Sequence, residues 1–88
     1  MKTNLVLICW DGDEAVKVYT AETWIDARRR KKGLVRKNLY TEISIEHVTD
    51  TGFWQAKNLP GAFLSEINAE LLQAEIDHID QQMLLNAF

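Results

Sequence analysis

The sequence predicts an α+β fold: a small antiparallel sheet of three to four strands, a short basic helix and a long C-terminal amphipathic helix, in the order β-β-α-β-(β)-α. Three observations carry this. An unbroken apolar run over residues 5–10 stops at Asp11-Gly12-Asp13. A clean alternation, with Leu39, Thr41, Ile43 and Ile45 against Tyr40, Glu42, Ser44 and Glu46, runs within 39–48. A helical repeat of apolar residues spans 62–86, after the break at Asn58-Leu59-Pro60-Gly61.

The run Leu5-Val6-Leu7-Ile8-Cys9-Trp10 has the pattern of a strand covered on both faces. Asp-Gly favours the positive φ of a tight hairpin turn, so 15–19 is expected to return as a second strand. Alternation then places Val16 and Val18 on one face and Lys17 and Tyr19 on the other. Thr20 is a candidate helix N-cap, with Glu22 in a first turn where the helix dipole favours an anion. Ala21, Trp24, Ile25 and Arg28 share one face at spacings of three and four. Gly33 offers a natural C-terminal stop, so the first helix is expected over about 21–32.

Over 39–48, Leu39, Thr41, Ile43 and Ile45 point one way, and Tyr40, Glu42, Ser44 and Glu46 the other. This is a strand with one buried and one wet face. Asp50-Thr51-Gly52 reads as a turn, and 53–56 as a short fourth strand. At 100° per residue the last helix gathers Glu66, Glu70, Gln73, Asp77 and Asp80 on a solvated face. Its apolar residues form two stripes, Phe63, Ile67, Leu71, Ala74 and His78, then Leu72, Ile76, Ile79 and Met83. A polar seam of Asn68, Glu75, Gln82 and Asn86 separates them. Such a helix is ~36 Å long, longer than the ~30 Å diameter of a compact chain of this size. One stripe can cover the sheet. The second is expected to be a homodimer interface built from Leu72, Ile76, Ile79 and Met83.

Eighty-eight residues, 47% apolar and 26% charged, make one globular domain spanning 1–88. A single cysteine, Cys9, excludes an internal disulfide and fits a reducing compartment. The run at 5–10 is too short to cross a bilayer and lacks the features of a secretory signal, so a cytoplasmic protein is expected.

The charge pattern is the main functional signal. Arg28, Arg29, Arg30, Lys31, Lys32, Arg36 and Lys37 fall within ten positions of a chain whose net charge is −3. After Lys57 there is no basic residue, while Glu66, Glu70, Glu75, Asp77 and Asp80 follow. Charge is therefore expected to set this protein against another surface, protein or nucleic acid. A phosphate backbone would be met by the helix end and a 33–38 loop. Overall negative charge and the acidic Glu42 and Glu46 on the wet strand face favour a protein partner over nucleic acid.

Other constellations are weaker. Asp11-Gly12-Asp13-Glu14 places three carboxylates in four residues, but Val16 and Val18 stand where a calcium loop needs its later ligands. Glu75 and His78 have the spacing of a di-metal helix, yet no other helix supplies the remaining carboxylates. Cys9 with His47 or His78 would make a nucleophile and base only if the thiol were activated, and an apolar strand raises its pKa. There is no strained Gly-Ser-Gly elbow and no Gly-rich phosphate loop. No catalytic residue, metal, cofactor, small-molecule substrate or membrane contact is expected. Of the aromatics, Trp24 is assigned to the helix face meeting the sheet. Trp10, Phe53 and Trp54 are candidates either for the core or for an interface anchor.

A hairpin, helix and strand followed by a helix resembles in outline the compact regulators and inhibitors encoded by bacteriophages and other mobile elements. The resemblance implies a protein that acts by occupying a partner's surface. The expected function is therefore that of a non-enzymatic, homodimeric interaction protein, docking on a larger macromolecular partner through its basic helix end. The alternative is a sequence-tolerant DNA- or RNA-binding module using the 28–37 cluster.

Overall fold

A computed structural model describes residues 3–86, with side chains described through residue 77. Six elements follow one another: β1 (Leu5–Asp11), β2 (Glu14–Ala21), α1 (Trp24–Lys37), β3 (Glu42–His47), α2 (Asp50–Asn58) and α3 (Pro60–Asn86). The strands form one antiparallel sheet in the order β2-β1-β3. The architecture is the expected α+β fold with a long C-terminal helix.

The apolar run occupies the central strand, and Leu5 through Cys9 are completely buried. Successive side chains of a strand point to opposite faces, and here the two faces build two cores. Leu5, Leu7 and Cys9 pack with Ala27 and Leu34 of α1 and with Ile43. Val6 and Ile8 pack with Ala15, Val18, Ala56 of α2 and Phe63 of α3. α1 thus covers one face of the sheet, and α2 and α3 cover the other.

The hairpin closes through Gly12, whose φ of +62° is the left-handed region that only glycine enters cheaply. Its second strand departs from simple alternation. Cys9 pairs with Lys17 but Trp10 pairs with Ala15, leaving Val16 as the extra residue of a β-bulge. Ala15 and Val18 therefore share the buried face, and Val16 is turned to solvent rather than joining Val18.

The first helix is displaced from the expected 21–32. Thr20 and Ala21 stay in the ladder opposite Val6 and Leu5, so Thr23 becomes the N-cap and its Oγ1 accepts from Asp26 N–H at 3.1 Å. Gly33 does not end the helix. Leu34 is buried one position later, and its burial carries the chain on to Lys37, where Asn38 caps at φ +53°. The 33–38 segment is thus helix and cap, not a loop.

The third strand is shorter than 39–48. Leu39 lies outside it and is 67% exposed, while Ile43 and Ile45 face the α1 core as expected. No fourth strand forms at 53–56. Thr49 Oγ1 caps Gly52 N–H at 3.0 Å, and these residues form α2 instead, burying Ala56. Asn4 Nδ2 donates to Asp50 Oδ1, tying this helix to the start of β1.

α3 opens with Pro60 in its first turn, where a missing N–H costs nothing. Phe63 is buried, and Leu64 and Ile67 are packed against the same core. From Ala69 to Asp77 every residue is exposed, because the sheet has ended while the helix continues. The overhang explains a radius of gyration of 15.8 Å and extents of 52 × 30 × 22 Å, against ~12 Å for a compact chain of this length.

Candidate functional site

α1 buries only Ala27 and Leu34. At 100° per residue, Ile25, Arg28, Arg29, Lys32 and Arg36 lie within an arc of about 100° on the opposite side, and all five are exposed. Ile25 is 63% exposed, and Val35, beside Arg28 on the wheel, is 57% exposed. The outer face is thus a cationic strip with apolar residues set into it. Arg28, Lys32 and Arg36 recur every four residues along it.

The seven cations do not act alike. Arg30 leaves the strip and lies over the Tyr19 ring, its guanidinium carbon 5.2 Å from the centroid. Lys17 approaches the same ring at 5.7 Å. Arg28 stands 5.8 Å from the Trp24 ring. Trp24 itself is not a core residue as expected. It is 40% exposed and meets His47 edge-on at 5.2 Å. Lys31 is half-buried, and Lys37 ends the helix in solvent.

On the opposite face, where α3 leaves the sheet, an open cavity of about 730 Å³ lies between the hairpin turn and the helix. Its apolar floor is Trp10, Leu71 and Leu72, and its carboxylates are Asp11, Asp13, Glu14, Glu42 and Glu75. Trp10 is fixed by an Nε1–H bond to Ser44 Oγ at 3.0 Å. The Thr41 hydroxyl braces the turn, accepting from Gly12 N–H at 2.8 Å and donating to Trp10 O at 2.9 Å. Asn68, read from sequence only as part of a polar seam, holds α3 here. Its Oδ1 accepts from Ala15 N–H at 2.8 Å and its Nδ2 donates to Ala15 O at 3.0 Å. A side-chain amide thus meets the backbone of the bulge as a neighbouring strand would. The signal available in sequence was an Asn inside a run of apolar helix positions.

Of the expected dimer residues, Leu72 is 59% and Ile76 44% exposed, joined by Leu71 at 43%. Ile79 and Met83, with His78 and Asp80, lie outside the described side chains. Trp54 and Leu59 are exposed near the α2–α3 corner.

Cys9 is fully buried, and burial raises its thiol pKa above the ordinary value, with nearby Lys17 opposing the shift. A thiol so placed is a poor nucleophile at neutral pH. Among the described residues no group of three His, Cys, Asp or Glu side chains is arranged to hold a metal ion. No helix among them is long and apolar enough to cross a membrane. Comparison of the chain with protein-family models, with curated proteins and with solved structures finds no match.

Proposed function

We propose that this chain is a non-enzymatic interaction protein, of a regulatory or inhibitory kind, that docks on an acidic surface of a larger macromolecular partner through the outer face of α1. The observation that supports this reading is the economy of α1: fourteen residues of helix give two to the core. The rest present Arg28, Arg29, Lys32 and Arg36 around exposed Ile25 and Val35. Such a surface combines electrostatic steering with apolar anchors. The exposed Leu72 and Ile76 support a second contact, self-association into a homodimer through α3.

A second reading follows from the regular spacing of Arg28, Lys32 and Arg36, which suits the neutralisation of phosphates by one helix face. The carboxylates of the hairpin turn and α3 weigh against wrapping by nucleic acid.

Arg29→Glu/Lys32→Glu reverses the strip and leaves Arg30 on Tyr19. Capture of a partner from native lysate by the immobilised chain should be lost in this variant and should survive nuclease. Capture abolished by nuclease would replace the reading with nucleic-acid binding. Capture that persists after reversal refutes a role for the α1 face.

A further inference from the structure

Among the described residues β3 has one neighbouring strand, β1, and its other side is free. The pairing fixes which backbone groups are used. Val48 N–H donates to Asn4 O at 3.0 Å, and the register sets Val6 against Glu46, Ile8 against Ser44 and Trp10 against Glu42. Along an antiparallel ladder, pairs that exchange hydrogen bonds alternate with pairs that do not. Glu42, Ser44 and Glu46 therefore turn their N–H and C=O to β1, while Ile43, Ile45 and His47 turn theirs outward. Among the described residues no hydrogen bond from another part of the chain reaches these outward groups. The flank of the strand is open as well. α2 and α3 pack over β1 and β2 and, among the described residues, leave the adjoining face of β3 uncovered. On that face Glu46 borders an open cavity of about 680 Å³ together with Glu66 and Glu70, and Glu42 borders the one at the hairpin turn. Neither lining contains a Lys or Arg. On the other face Ile43 is buried, with half-buried Ile45 and Tyr40 against the same core.

We infer that β3 receives an extended segment of a partner protein as a fourth, antiparallel strand, with the pattern Lys/Arg, apolar, small polar, apolar, Lys/Arg. Its two apolar residues pair with Ile43 and Ile45, exchange backbone hydrogen bonds with them and extend the apolar layer they form with Tyr40. Its two cations fall opposite Glu42 and Glu46, and its small residue opposite Ser44. Opposite charges in facing cross-strand positions attract and like charges repel, so the strand selects a basic segment. Strand addition of this kind draws affinity from the backbone and specificity from alternate side chains. A second copy is a poor occupant. Residues facing each other across an antiparallel pair share a face of the sheet, so pairing β3 with itself lines up both copies' Glu42 and Glu46, four carboxylates along one seam. The contact is separate from the α1 strip: that strip suits an acidic surface, and β3 suits a basic strand.

The probe is the peptide Lys-Val-Thr-Val-Lys, acetylated and amidated at its ends, and the readout is amide exchange by NMR. With peptide at ten times its Kd, exchange at Ile43 and Ile45 should slow about tenfold, while Glu42, Ser44 and Glu46, already bonded to β1, should change little. Glu-Val-Thr-Val-Glu should bind about tenfold more weakly. Glu42→Lys/Glu46→Lys, both at exposed positions, should reverse that preference with circular dichroism unchanged. N-methylation of both valines keeps the charges, removes the donors and should abolish binding. Exchange at Ile43 and Ile45 that does not slow, or a methylated peptide that binds as tightly as its parent, overturns strand addition. Equal binding of the two peptides overturns the selection by charge. Protection of Ile43 and Ile45 that rises with protein concentration in the absence of peptide gives β3 to a second copy and overturns the partner strand. Arg29→Glu/Lys32→Glu should bind the peptide at least as tightly as wild type, so peptide binding and lysate capture report on the two surfaces separately.

Discussion

Replacing Asn68 with Ala removes a clamp that joins residues 53 positions apart in sequence, Asn68 and Ala15. Both lost hydrogen bonds are part-buried, and both Ala15 backbone groups lose their partner. A net hydrogen bond contributes about 1 kcal/mol, so the pair accounts for about 2 kcal/mol, more where water cannot replace the amide. For a domain of this size each kcal/mol shifts Tm by about 4–8 °C, which gives a fall of about 8–16 °C. Thermal unfolding by circular dichroism at one fixed protein concentration measures it, and amide exchange at Ala15 should accelerate in parallel. Asn68→Asp supplies a control with nearly the same shape. It keeps the acceptor for Ala15 N–H but sets a carboxylate oxygen against Ala15 O. Protonation would give that oxygen a donor, so the folded-state pKa of the new carboxyl is raised above its unfolded value of about 3.9. The aspartate variant should therefore be fully relieved only below about pH 3.9 and lose that relief as pH rises. A loss under about 0.5 kcal/mol for Asn68→Ala would mean that α3 is held by the apolar contacts of Phe63, Leu64 and Ile67 alone.

Gly33→Ala should stabilise the protein by about 0.5–1 kcal/mol, since the residue lies inside α1 and nothing stands within 4 Å of an added Cβ. Urea denaturation reads this, and a destabilised variant would show that the helix is broken at 33. Cys9, with its thiol pKa raised by burial, should react with iodoacetamide at pH 8 only as fast as the protein opens. Its contribution to stability is complete below the unfolded thiol pKa of about 8.5 and is lost as pH rises through the higher folded value. Rapid alkylation of the native chain would refute the burial on which this depends.

The central strand was legible because six consecutive apolar residues leave no wet face to choose. The long helix was legible because its two stripes persist over many turns. The features that were missed depend on contacts distant in sequence. The bulge at Val16 is fixed by Asn68, which no local pattern at 14–21 can reveal. α1 passes Gly33 because Leu34 finds the core, a tertiary gain that outweighs the local tendency of glycine to stop a helix. At 53–56 two adjacent aromatic residues resemble a strand, while the opposing signal, a Thr49 cap followed by Asp50, is short and lies just upstream. The cationic cluster was visible at once. Its division was not: Arg30 belongs to Tyr19, and only folding sorts it from the outward strip.

The order β2-β1-β3 leaves a sheet with two open margins, each able in principle to recruit a stray extended chain and seed fibrils. On β2 this hazard is met at the turn end, where an amide from α3 already occupies the backbone sites of Ala15 and Val16 interrupts the regular repeat. On β3 the exposed carboxylates of Glu42 and Glu46 repel an identical visitor. The same few atoms that seat the long helix therefore also guard the β2 margin of the sheet.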